Sequence, residues 1–310
     1  MDLSLVFATS KRTEILSRTL SSFTELQVGD LNWEIVLVDN ADDPETQALA
    51  RHYGTQLPLT CLVESRKGKN YALNTALSMV KGQLIVFTDD DVLADPNWLK
   101  ELWEGSKRWP NHSVFGGRIL PRFPVESVSF DLENRLVRSA YVIADWKIQE
   151  GEYKPSMVWG PNFAVRSSAV EPGFQFNTDF GPNSAQYRMG DETEFVYRLE
   201  QAGHIPIYLP GALVHHQIRP EQLHMDWLCR RVAAYGGTFV FMSGLPQASM
   251  ICGVPRYMYI KTFQAWLGYM WSFIGGTVKT RFEAKLVYWY RKGMLAQYWR
   301  GVPEQKTIEY

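Results

Sequence analysis

The sequence predicts an α/β fold: a mostly parallel, doubly wound sheet flanked by helices, with a C-terminal helical extension. Three observations carry this. Strand-like and helix-like segments alternate from residue 3 to about residue 110. The run LIVF (84–87) has no polar position, as in a strand covered on both faces. Asp43-Pro44 and Asp95-Pro96, each placed after a strand candidate, are helix-start pairs.

LSLVFAT (3–9) reads as the first strand, followed by a polar turn and a helical pattern over 13–23. WEIVLVD (33–39) is the second strand, ending on Asp39, and Asp43-Pro44 opens a helix toward Tyr53. LTCLVE (59–64) is a third strand, ending on Glu64. A Gly- and Lys-rich turn leads into a helix over 70–80. The fourth strand, 84–88, runs into Asp89, Asp90 and Asp91. Asp95-Pro96 then opens a helix with Trp98, Leu99, Leu102 and Trp103 on one side. Crossovers in such a sheet are right-handed. After Pro110 the alternation loosens. Residues 113–120 and 157–166 read as strands with glycine breaks, and 126–139 as a helix. Residues 190–203 read as a helix stopped by Gly203, and 205–216 as a short strand pair ending in His215 and His216. A helix over 221–235 is closed by Gly236-Gly237.

The chain has 310 residues and a formal net charge of −1, which argues against a general nucleic-acid binder. Cys61, Cys229 and Cys252 are too few and too scattered for a disulfide framework or a zinc site, so a reducing compartment is expected. The N-terminus reads as a first strand and not as a signal peptide.

The chemistry concentrates where strands end. Asp39, Glu64 and the Asp89–Asp91 run end three strands, and ligands of open α/β sheets bind at the carboxyl ends of strands. Adjacent carboxylates repel unless a cation sits among them or they fan into solvent. As hard oxygen donors they suit Mg²⁺ or Mn²⁺, which in turn suit phosphates. The plainer reading is an acidic turn capping the next helix. Asp191 and Glu192 open a helix, where the dipole favours ionised carboxylates; they too can be read as caps. Arg66, Lys67 and Lys69 form a basic turn that suits either a diphosphate or solvent.

Several motifs, in order, resemble the family 2 glycosyltransferases of GT-A fold, over about residues 3–235. VFATSKR matches their opening strand and turn, and VLVDN carries the acid, Asp39, that by resemblance binds the nucleotide base. GKNYALNTAL matches the helix motif with Gly68, Ala72 and Asn74. TDDD matches the D-x-D motif through Asp89 and Asp91. WGPNFAVR looks like the acceptor-side segment and gives Gly160, Asn162 and Arg166. GDETEF and LVHH resemble the later acidic helix start and the closing histidine motif.

The resemblance implies an inverting, hexosyltransferase-type enzyme. It would move a sugar from a UDP- or GDP-sugar to a hydroxyl of a polysaccharide, glycolipid or lipid-linked glycan. It implies Mn²⁺ or Mg²⁺ held by Asp91, with Asp89 and with His215 or His216. Thr9, Arg12, Asp39, Glu64, Arg66, Lys69, Asn74, Asp89 and Asp90 would bind the nucleotide sugar. The general base is Asp191 or Glu192, since the acidic pair stands in reversed order relative to the family. Residues 1–240 would form the GT-A domain, with 1–110 as its nucleotide half and 111–240 as its acceptor half. Segments 121–156 and 167–190 would carry specificity.

Residues 241–310 are a basic, aromatic helical extension. Its uncharged stretch 262–278 makes a helix of about 26 Å, short of a hydrocarbon core of about 30 Å. It suits a membrane interface, a helical hairpin packed on the catalytic domain, or a dimer contact. A cytoplasmic location, peripheral on the cytoplasmic membrane face, is expected.

Two rival functions remain. VFTDDDVL fits a haloacid-dehalogenase-type phosphatase with Asp89 as nucleophile and Asp91 as acid, but GDETEF supplies only half of its second motif. A non-catalytic, membrane-associated interaction protein is the other. A sugar-nucleotide pyrophosphorylase would need a glycine-rich opening loop, which ATSKRTEI lacks.

Overall fold

The structure is a computed structural model and describes residues 1–181 and 189–303. In chain order its elements are β1 (Leu3–Thr9), α1 (Thr13–Phe23), β2 (Trp33–Asp39), α2 (Pro44–Tyr53), β3 (Leu59–Val63), α3 (Lys69–Leu77), β4 (Leu84–Phe87), β5 (Val92–Ala94) and α4 (Trp98–Arg108). Next come β6 (Val114–Arg122), α5 (Arg135–Tyr141), β7 (Gly151–Glu152), β8 (Phe163–Arg166), α6 (Asp191–Gln201) and β9 (Pro206–Gln217). The chain closes with α7 (Met225–Ser243), β10 (Met250–Ile251), β11 (Val254–Pro255), α8 (Arg256–Gly275) and α9 (Val278–Arg300).

The chain forms two compact units. The first comprises residues 1–122 and 144–217; the second comprises 123–143 and the chain from residue 218 onward.

The first unit holds a mixed sheet in the order β3-β2-β1-β4-β8-β6-β9-β5, with β7 paired to β9. β3, β2, β1 and β4 are parallel, as the alternation of strands and helices predicts. β8 then runs antiparallel to both β4 and β6, while β6 and β9 are parallel. β4 is therefore a central strand, and Phe87 stacks on Phe163 of β8 at 4.7 Å. All four of its side chains are buried.

Four expectations change. Residues 205–216 are not a strand pair but the single strand β9, because residues 210–212 bulge out of register with β6 and pairing resumes at Leu213. The helix expected over 126–139 is only α5, started by Asn134, whose side chain accepts from Leu136 N at 3.0 Å. Of 157–166 only β8 is strand, preceded by a 3-10 turn at Pro155–Met157. Asp95 does not cap α4 directly: it forms the preceding turn, accepting from Asn97 N through its side chain and Trp98 N through its carbonyl, both at 2.9 Å.

The second unit packs α5, α7, α8 and α9 around Leu228, Val232, Tyr290 and Met294. Here α7 runs through Gly236-Gly237 and does not stop there. These glycines are a helix–helix contact: a Cβ at Gly236 would overlap the Tyr290 carbonyl, and one at Gly293 of α9 would overlap the Ala233 carbonyl. The helix tolerates the lower propensity because the close approach needs the missing side chain.

Candidate active site

The site is built at the carboxyl end of β4, in the first unit. Three consecutive aspartates there meet two cations. Lys69, from the first turn of α3, places its ammonium 2.6 Å from Asp89 Oδ1 and 2.5 Å from Glu192 Oε1. Arg12, from the β1–α1 turn, reaches Asp90 at 3.1 Å and Asp91 at 3.5 Å. Thr9 donates to Asp90 at 2.7 Å. The cations that three adjacent carboxylates require are thus side chains of this chain. Burial, and then the neighbouring Asp91, push the Asp90 carboxyl up to about 6. Burial pushes Asp91 in the same direction, but His216, Arg12 and Lys69 outweigh it and hold the group down at about 2.

His216 is the histidine of the pair that faces the acids. Its Nε2 lies 3.4 Å from Asp91 Oδ1, an oxygen that is buried without a hydrogen bond among the described residues. The two-residue period of β9 sends His215 to the other face. There burial and the nearby Arg122 lower its pKa. Asp91 Oδ1 and His216 Nε2 are donor types that would suit a manganese or magnesium ion. Among the described residues no three acid, histidine or cysteine side chains are grouped as a metal cage.

The start of α6 supplies the two other acids. Gly190, at φ +82°, turns the chain into the helix. Glu192 comes so close to the backbone of Gly160 that a Cβ there would overlap its carboxylate. Both acids are buried, yet they differ. Burial raises Glu192, but Lys69 outweighs it, so Glu192 lies below the usual carboxylate range and stays ionised. Burial and the charge of Glu192 push Asp191 well above that range. Its Oδ2 has no hydrogen-bond partner among the described residues.

A second group surrounds the ends of β2 and β3. Asp39 accepts from the Ala41 and Asp43 amides at 3.0 and 2.7 Å. Glu64 is gripped by Arg66 through Nε at 3.0 Å and Nη2 at 2.7 Å, and by Thr75 at 2.6 Å. Arg66 also lies over the Tyr71 ring, 4.9 Å from its centre.

Three of the expected contact residues are committed to backbone. Asn74 donates to the Phe176 carbonyl at 2.9 Å and accepts from its amide at 2.8 Å. Asn162, 1% exposed, donates to the Arg118 and Ala212 carbonyls and accepts from the Trp98 indole at 2.8 Å. Arg166 pairs across from Leu84, at the far end of β4 from the acids. Its guanidinium donates to the Ser106 and His112 carbonyls beside the C-terminus of α4. The structure therefore brings Thr9, Arg12, Lys69, Asp89–Asp91, Gly160, Glu192 and His216 together and does not bring Arg166 to them. Of the 167–190 segment, residues 182–188 lie outside the described residues.

Several supporting residues carried no sequence signal. Gln217 donates from its side chain to Thr19 at 3.2 Å, and Thr19 donates to the Asp90 carbonyl at 2.8 Å. Asn40 donates to the Glu64 and Arg66 carbonyls and accepts from the Gly68 amide at 2.9 Å, which sets the turn before Lys69. The Asn that follows Asp39 in VLVDN was the one available hint for this turn.

Comparison with known proteins follows the same lines. Residues 4–172, more than half of the chain, match the model described as Glycosyl transferase family 2. Glucosyl-dolichyl phosphate glucuronosyltransferase of Haloferax volcanii is 24% identical over 257 residues, covering 80% of this chain and 80% of its own. Succinoglycan biosynthesis protein ExoM of Rhizobium meliloti is 24% identical over 234 residues, covering 74% of this chain and 71% of its own. Mannosyltransferase PcManGT of Pyrobaculum calidifontis, in complex with GDP-Man and Mn²⁺, superposes with a TM-score of 0.64 at 18% identity, covering 96% of this chain and 87% of that one. TarS 1-349 of S. aureus, in complex with UDP, gives 0.55 at 14% identity, covering 95% and 90%. At these identities the structural likeness is one of fold.

Proposed function

We propose a specific reaction for this chain, which belongs to glycosyl transferase family 2 and is a glycosyltransferase of GT-A fold. It transfers a hexosyl group, with inversion, from a UDP- or GDP-sugar to a hydroxyl of a glycan or lipid-linked glycan. The observation that carries this reading is the Lys69 ammonium between Asp89 and Glu192, which joins the acidic tip of β4 to the start of α6.

In this reading Glu192 is the general base. Lys69 keeps it ionised, and the acceptor hydroxyl passes its proton to the carboxylate as its oxygen attacks the anomeric carbon. Asp191, pushed up by burial and by the charge of Glu192, is the poorer base of the two. Asp91 and His216 would hold Mn²⁺ or Mg²⁺, and Asp89 would hold the ribose or sugar hydroxyls. When bound, the cation neutralises the diphosphate charge that grows as the glycosidic bond breaks. Arg12 and Lys69 add positive charge to the same place. Asp39 meets the nucleotide base at the end of β2, and Glu64 with Arg66 shapes the neighbouring turn. Residues 1–110 would then serve the nucleotide and 111–240 the acceptor. The ligands bound by the structural relatives, GDP-Man with Mn²⁺ and UDP, support the donor class. The names of the curated relatives, a glucosyl-dolichyl phosphate enzyme and a succinoglycan biosynthesis protein, support the acceptor class.

The test is incubation with UDP- and GDP-sugars, Mn²⁺ and alkyl glycoside acceptors, with the anomeric configuration of the product read by proton NMR. An inverted glycoside is expected. A retained anomer would remove Glu192 as base in a single displacement. Hydrolysis of p-nitrophenyl phosphate with an aspartyl-phosphate trapped on Asp89 would favour the phosphatase instead.

A further inference from the structure

Helix α8 of the second unit is the reverse of an ordinary surface helix. Of its 20 residues only Met258 and Ser272 are buried. Beyond that line, Ile260, Phe263, Leu267, Met270, Trp271 and Ile274 are exposed by 50, 58, 45, 38, 74 and 78%. At 3.6 residues per turn these six fall within one arc about 100° wide. A solvated helix would carry charge there, and a contiguous exposed apolar strip marks an interaction surface.

The surroundings of the strip are cationic. Residues 256–282 contain no Asp or Glu. From residue 227 to 303 there are ten Lys and Arg against one acid, Glu283, in a chain whose net charge is −1. Arg256 and Lys261 stand at one end of α8, and Arg281 just past the other, beside Lys279, which is paired with Asp131 at 3.1 Å. Lys261 lies over the Tyr257 ring, 5.3 Å from its centre, and Arg281 over the Phe273 ring at 5.8 Å. The β10–β11 hairpin, with Met250 and Ile251 exposed, is tied to the helix by the Tyr259 hydroxyl, which donates to the Ile251 carbonyl at 3.3 Å.

We propose that α8 lies in the plane of an anionic phospholipid surface, its apolar arc sunk to the level of the acyl chains and its flanking cations among the headgroups. Apolar arc, aromatic residues and basic rim together are what that boundary selects. No helix of the described residues is long and apolar enough to cross a membrane, so the contact is interfacial for α8. A second copy of the chain is the poorer occupant. A two-fold contact through this face would set each cationic rim against its own image.

The proposal stands apart from the transferase reading, and its test separates the two. The full chain is sedimented with vesicles of phosphatidylcholine alone or mixed with phosphatidylglycerol, at rising salt. Binding is expected to be about tenfold or more stronger with the anionic lipid and to weaken as salt rises. The exposed pair Trp271→Glu and Ile274→Glu should cut vesicle binding by about tenfold or more while melting temperature and donor-sugar turnover stay unchanged. Vesicle binding that ignores the double substitution or the anionic lipid would overturn the proposal. So would a wild-type dimer in lipid-free buffer that the same pair of substitutions splits. Vesicle binding as expected, in a protein that turns over no nucleotide sugar, would support this surface and count against the transferase reading alone.

Discussion

The Lys69 ammonium lies 2.5 Å from the Glu192 carboxylate, although the two residues stand 123 positions apart in the chain. The pair is partly buried and Lys69 also meets Asp89, so one cation serves both the acidic tip of β4 and the helix that carries the proposed base. Removing Lys69 leaves Asp89 and the buried Glu192 without this partner. Lys69→Met is expected to lower turnover by about 100-fold. Because Lys69 is what holds Glu192 low against burial, its loss raises that carboxyl. The acid limb of the rate profile should therefore move to higher pH. A profile that keeps its position would separate Lys69 from the base.

The two acids of α6 should behave unequally. Glu192→Gln is expected to reduce kcat by about 10²–10⁴-fold, the usual range for losing a general base. Burial and the charge of Glu192 push Asp191 upward, which makes it the poorer base, so Asp191→Asn should cost less than about tenfold in kcat. Steady-state kinetics on both variants decides the matter, and the opposite ranking would transfer the role to Asp191.

Asn162 separates scaffold from acceptor binding. Its side chain satisfies the Trp98 indole and two carbonyls inside the sheet. Asn162→Ala is expected to lower stability by about 2–4 kcal/mol, since several buried polar groups lose their partners. Denaturant unfolding measures this, and acceptor KM should stay within about twofold at a temperature where the variant is folded.

What the sequence made legible divides along a physical line. Strand periodicity, apolar continuity and the acids at strand ends are local properties. They located β1 to β4, α1 and α2 within a residue or two, and α3 within three, together with the Asp89–Asp91 tip. The partners of those acids are not local. Nothing in GKNYALNTAL reveals that Lys69 meets Glu192 across the fold. Motifs also do not tell a side chain that meets a ligand from one that hydrogen-bonds to backbone: Asn74 bonds the Phe176 amide, and Arg166 the carbonyls beside α4. The Gly236-Gly237 pair looked like a stop because glycine ends helices, whereas here a neighbouring helix fills the missing volume. The two-residue period of a strand does tell His215 from His216, once the strand is known to be unbroken.

The α7–α9 crossing offers a stability test in the second unit. A methyl at Gly293 would overlap the Ala233 carbonyl, which belongs to a helix backbone and yields little. Gly293→Ala should destabilise the protein by about 1–3 kcal/mol despite the better helix propensity of alanine. A melting curve unchanged or raised would mean that the helices can separate without cost.

Acid should weaken the Glu64 clamp. Hydrogen bonds from Arg66, and then from Thr75, outweigh burial and hold Glu64 at about 2, down from 4.5. A carboxyl depressed on folding contributes stability that is fully present above about pH 4.5 and is lost as pH falls toward 2. Glu64→Gln should therefore flatten the decline in melting temperature across that window and change little above it. An identical decline in both proteins would show that the clamp adds nothing.

Calorimetric titration of GDP- and UDP-sugars into the wild-type protein and into Asp91→Asn, each with and without Mn²⁺, tests the central claim most directly. The account predicts that one donor binds the wild type only when manganese is present, and that Asp91→Asn weakens this binding by about tenfold or more while its melting curve stays cooperative. Equal affinity in the two proteins, indifferent to manganese, would contradict a cation shared between the tip of β4 and a departing diphosphate.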